Sequence, residues 1–163
     1  MSDILDTLVE ELEAFVAADT VDGGIAEILP GASVQKGDPG FLTADEYPYV
    51  MVNAGSIAPK LETMGRAGYD VLNHDYEIVL MVDSTEYYDP DTSGNDAEGP
   101  LEDAAIAMWK WFRRFAKRKL GGIATVRDVK VGSVTFLPDE RGLVYARKAL
   151  LVLTVERQHQ HQP

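Results

Sequence analysis

Hydrophobic positions recur at helical spacing in two stretches of the chain and alternate, or run together, in the segments between and after them. In Ser2–Ala18 the residues Ile4, Leu5, Leu8, Leu12, Phe15 and Val16 form one apolar stripe, and Glu10, Glu11 and Glu13 face away from it. Ser2 or Asp3 can cap this helix, because a short polar side chain accepts a hydrogen bond from an unpaired first-turn N–H. Pro100–Lys119 carries a second stripe: Leu101, Ala105, Met108, Phe112 and Phe115. Pro100 suits a first turn, where its missing N–H has no helical partner. Glu102 and Asp103 lie near the positive end of the helix dipole, and Arg113, Arg114, Lys117, Arg118 and Lys119 near the negative end. Gly121 and Gly122 end it. Trp109 and Trp111 cannot share the stripe, since successive helical residues point about 100° apart.

Strand-like runs account for most of the rest. Ala32–Lys36 is a short candidate, followed by the turn composition Gly37-Asp38-Pro39-Gly40. Tyr49–Ala54 is a strand with Pro48 at its start, and Gly55–Gly68 reads as irregular. Tyr69–Leu72 and Tyr76–Val82 read as a hairpin or, preferably, as one long strand with a kink or bulge at Asn73-His74-Asp75. The continuous apolar run Ile78–Val82 predicts a central strand covered on both faces. Ser84–Gly99 has no periodicity and predicts a long loop, a feature that often carries function. Thr125–Phe136 and Leu143–Arg157 read as an antiparallel hairpin joined through Leu137–Gly142. The element order predicts an α+β fold: a mostly antiparallel sheet of about five strands with two main helices on one face. A single domain is expected over residues 1–157, with a disordered polar tail, QHQHQP, over 158–163.

Charge changes the picture. The first 99 residues hold 21 Asp+Glu against 3 Lys+Arg, or −18; the remainder holds 6 against 12, or +6, and the two sum to −12. An acidic half joined to a basic half suggests a subunit that meets other copies or neighbouring proteins through unlike surfaces, or a solvated surface that is simply uneven. Net negative charge argues against a general nucleic-acid binder. The chain has no Cys, which excludes disulfides and thiolate sites. No apolar run approaches the ~20 residues of a membrane span. The acidic, amphipathic N-terminus is unlike a secretory signal, so a soluble protein made in the cytoplasm is expected.

Candidate chemistry is sparse. Asp89-Pro90-Asp91-Thr92-Ser93-Gly94 opens like a calcium loop, with oxygen ligands at alternate positions and a Gly at the turn. The twelfth position is Pro100 instead of a bidentate Glu, so an acidic solvated loop is the competing reading. His159 and His161, two apart, could hold a metal ion only with further ligands, and His74 is a lone His. No carboxylate pair, phosphate loop or nucleophile arrangement is marked out, so no catalytic residue, cofactor or metal site is assigned. Trp111 is expected to pack under a loop or to be a contact aromatic at a subunit boundary; Tyr87 and Tyr88 are contact residues or loop anchors. The expected interface residues are Arg113, Arg114, Lys117, Arg118, Trp111, Tyr87, Tyr88, Asp89, Asp91 and Asp96.

From Ile4 to Glu156 the chain resembles the tail terminator (tail-completion, neck) proteins of long-tailed bacteriophages. The residues that carry the resemblance are an amphipathic first helix, YPYVMV, DYEIVLMVDS, EDAAIAMWKWF, VRDVKVGSVTF and YARKALLVLTVE, in that order. The resemblance implies a structural virion protein of the tail or neck, not an enzyme. Such proteins form a six-membered ring that caps the tail tube, ends its polymerisation and joins it to the head-side connector or stopper protein, while DNA passes the lumen without specific binding. Unlike halves suit a head-to-tail ring, and negative charge suits a DNA channel. The alternatives are another head–tail connector or tail-tube subunit, or a small calcium-binding domain using Asp89, Asp91 and Ser93.

Overall fold

The structure, a computed structural model, describes residues 3–38, 40, 47–60, 69–83, 88–89, 94–95, 98–117, 119–141 and 144–160. Helix α1 (Asp3–Ala17) is followed by a single 3-10 turn (Thr20–Asp22) and the short strand β1 (Ser33–Lys36). Then come β2 (Tyr49–Pro59), β3 (Tyr69–Asp83) and the two-residue strands β4 (Tyr88–Asp89) and β5 (Gly94–Asn95). Helix α2 (Glu98–Lys117), the short helix α3 (Lys119–Gly122), β6 (Val126–Arg141) and β7 (Val144–Gln160) complete the chain. Five strands form one sheet in the order β1-β2-β3-β7-β6. All its pairs are antiparallel except β1 with β2, so the fold is α+β with a mixed, mostly antiparallel sheet.

The two apolar stripes cover one face of that sheet. Ile4, Leu8, Leu12 and Phe15 of α1 and Leu101, Ala105, Met108, Phe112 and Phe115 of α2 are buried against Val50 and Val52 of β2, Tyr76, Ile78, Leu80 and Val82 of β3, and Ala149, Leu151, Leu153 and Val155 of β7. Alternate strand residues point to opposite faces, so the remaining apolar positions make a second cluster on the other side: Tyr47, Tyr49, Met51, Val79, Met81 and Ala146. The whole run Ile78–Val82 is therefore buried, as a strand central to the sheet requires. Helix α1 lies over β1 and β2, and α2 over β6 and β7.

The ladder is longer than the sequence pattern indicated. β2 continues through Gly55–Pro59, read from sequence as irregular, because Ile57, Ala58 and Pro59 pair with His74, Asn73 and Leu72 of β3; the register shifts between Ala54 and Ile57, which leaves one extra residue on β2. The interruption expected at Asn73-His74-Asp75 is thus absent from β3, which pairs without a break with β7, and lies in β2 opposite it. β6 and β7 likewise run on through Leu137–Arg141, with Arg141 opposite Val144. Pro138 is accommodated because β6 is an edge strand. Of the tail expected to be disordered, Gln158, His159 and Gln160 pair with Val71, Asp70 and Tyr69, and residues 161–163 lie outside the described residues. The calcium-loop residues Asp91 and Ser93 lie outside the described residues; Asp89 and Gly94 pair with each other in the β4–β5 ribbon, so the expected long loop contains a small hairpin.

Candidate assembly surface

α2 has three faces, and each does something different. Its apolar stripe enters the core. The second face turns to α1. There Trp111 stands 5.5 Å from the Phe15 ring, tilted by 59°, and its Nε1–H donates to Glu11 Oε1 at 2.8 Å. Glu11 therefore does not point to solvent as its place beside Glu10 and Glu13 suggested. Trp111 is half-buried between the helices and also borders a surface groove with Asp22, Arg114 and Lys117. The Arg114 guanidinium lies over the Trp111 ring at 5.7 Å and against Gly23. Gly23 has φ of +91°, a backbone conformation that residues with a side chain rarely adopt, so glycine suits this turn.

The third face of α2 turns toward β6 and is open. Arg113 stacks over Trp109 at 5.1 Å, a cation–π arrangement that fixes both side chains. Trp109, Arg113, Ala116 and Lys117 form one wall of a groove of about 330 Å³, and Arg127, Asp128, Val129 and Val131 of β6 form the other. A second groove of about 250 Å³ continues it, lined by Glu102, Ala105, Ile106, Trp109, Val134 and Phe136. Ile106 and Phe136 are 47% and 37% exposed, which is high for large apolar side chains set side by side.

The sequence-predicted interface residues are thus divided. Arg113 and Lys117 border the open groove; Trp111 and Arg114 face α1. Tyr88 and Asp89 belong to the β4–β5 ribbon. Tyr87, Asp91, Asp96 and Arg118 lie outside the described residues. Sequence reasoning missed Trp109, Ile106, Phe136 and Arg127. The available signal was the helix angle: Trp109, Arg113 and Lys117 are spaced by four and share a face, while Trp111 is two residues off it.

A second cluster sits on the paired central strands β3 and β7. His74 Nε2 and His159 Nε2 are 2.8 Å apart, with ring centroids at 5.0 Å. One nitrogen donates and the other accepts, so the pair is held with at least one ring neutral. Burial, then His159, then Arg157 lower the His74 pKa below its ordinary 6.5. Asp75 bridges strands beside it, accepting from Thr154 Oγ1 at 2.7 Å and Ser56 Oγ at 3.0 Å, and Lys60 pairs with Glu156 at 3.1 Å. No group of three His, Cys, Asp or Glu able to hold a metal occurs among the described residues.

These elements define an α+β sheet protein with an open aromatic and basic groove along one edge. Its fold is similar to that of a chain in the virion of a native gene transfer agent particle, with a TM-score of 0.57 at 16% identity over 97% of this chain and 99% of that one. No family model and no curated protein sequence matches the chain. Among the described residues, no helix is long and apolar enough to cross a membrane.

Proposed function

We propose that this chain is a structural protein of a phage-like virion, and within it a tail terminator: a ring, six-membered on the family resemblance, that caps the tail tube, ends its polymerisation and joins the head-side connector. The observation that carries this reading is the agreement in fold with a virion chain over nearly the full length of both. The order of helices and strands that resembles tail terminators is the order in the structure. Its role is assembly, with no catalytic step. Excess acid suits a lumen that DNA must pass, since like charge prevents phosphate contacts.

The test adds the purified protein to polymerising tail-tube protein of the same virion. Short tubes that stop growing, with this chain at one end, are expected. Tubes of unchanged length with no bound chain would overturn the terminator reading. Long polymers of the chain alone would make it a tube subunit instead.

A further inference from the structure

Two unlike surfaces lie at opposite edges of one sheet. β6 closes the sheet at one edge under α2, and β1 closes it at the other under α1. The β6 edge is a 16-residue strand with no neighbour on its outer side among the described residues. A long free strand edge invites a protein partner. Above it lie the exposed Ile106 and Phe136, and the stacked Trp109 and Arg113. Exposed apolar residues with Trp and Arg at the centre are the composition of an interface core, not of a solvated face.

The β1 edge has the opposite sign. Asp6, Glu10 and Glu13 are exposed on the outer side of α1. Glu13 is two residues beyond Glu11, roughly 200° around the helix, so it points away from α2. Lys36 is the only Lys or Arg before residue 60, and Asp6 already pairs with it at 2.7 Å. Glu10 and Glu13 therefore present exposed carboxylates on a stretch of chain that carries almost no base of its own. Across the sheet, Arg113, Lys117 and Arg127 outnumber the one acid, Asp128, that shares their groove.

We infer that the α2–β6 face of one copy docks on the acid-bearing α1 side of the next copy, an assignment that rests on the ring reading above. The occupant is a second copy because the chain itself carries both complementary surfaces. They sit on opposite edges, so a contact between them leaves one of each still open. Such a heterologous contact repeats until the rotation closes it. Apolar burial at Ile106 and Phe136 supplies the affinity; the charges select the face, since exposed pairs each contribute only ~0–1 kcal/mol.

The experiment swaps charge on each face in the full chain. One variant carries Arg113→Glu and Lys117→Glu; the other carries Glu10→Lys and Glu13→Lys. All four side chains are exposed, and circular dichroism with thermal melting checks that both variants fold. Each variant alone is expected to associate about tenfold or more weakly than the parent at low salt. An equal mixture is expected to recover parent-sized assemblies containing both, because the reversed faces complement each other. That recovery separates a docking contact from a loss of folding. A parent ring that neither variant disturbs, or a disturbance that mixing does not repair, overturns the surface assignment and leaves the ring reading standing. Rings that stay intact while tube capping is lost give this face to the tube protein, and overturn the second-copy occupant. A parent that is monomeric under every condition overturns both.

Discussion

Trp109 and Trp111 are two residues apart and have separate tasks, one open to the β6 groove and one locked against α1. Residues whose role follows from helical spacing are legible in the sequence: the spacing puts Phe112 on the core stripe, and it is fully buried between Phe15 and Phe115. Phe112→Ala is expected to cost about 3–5 kcal/mol in urea unfolding, while Glu13→Ala, on the exposed side of α1, stays within about 0.5 kcal/mol. Roles that depend on contacts between distant residues were not legible: Glu11 meets Trp111 across 100 positions, and His74 meets His159 across 85. The histidine pair carries a pH prediction. The lowered His74 pKa means that the unfolded chain binds its proton more readily than the folded one. Stability is therefore full above the unfolded value of 6.5 and is lost as pH falls below it, down to the lowered folded value. The melting temperature of the parent should decline as pH falls below 6.5, and that of His74→Gln should decline less. Parallel profiles would contradict this.

At the scale of elements, both main helices and the five sheet strands could be placed from the sequence, yet the strands' ends could not. Periodicity reports burial, and burial stops where the helices stop covering the sheet. Backbone pairing continues past that point, into Gly55–Pro59, Leu137–Arg141 and Gln158–Gln160, where composition carries no apolar signal. The join between the helices tests the packing directly. Trp111→Phe keeps a ring beside Phe15 but removes the donor to Glu11, and is expected to cost about 1 kcal/mol. Trp111→Ala removes the ring as well and should cost clearly more. Equal losses in a denaturant titration would mean that the ring does not hold α1 to α2.

At the scale of the whole molecule, the charge division seen in the sequence becomes a spatial one. The acidic first half supplies α1 and the β1 edge, and the basic second half supplies α2 and the β6 edge. The sequence pointed to the basic end of the helix as an interface, but it could not distinguish Arg113 from Arg114, which stack on different tryptophans on different sides. On the proposed function, copies of this chain close into a ring through those unlike edges. The most direct measurement is the mass of the purified protein in solution, followed over a wide concentration range at low and at high salt. The expected result is one closed species of six times the chain's mass that gives way to monomer on dilution, with only a modest weakening as salt rises. A monomer at every concentration, or an open series of ever larger polymers, would contradict it.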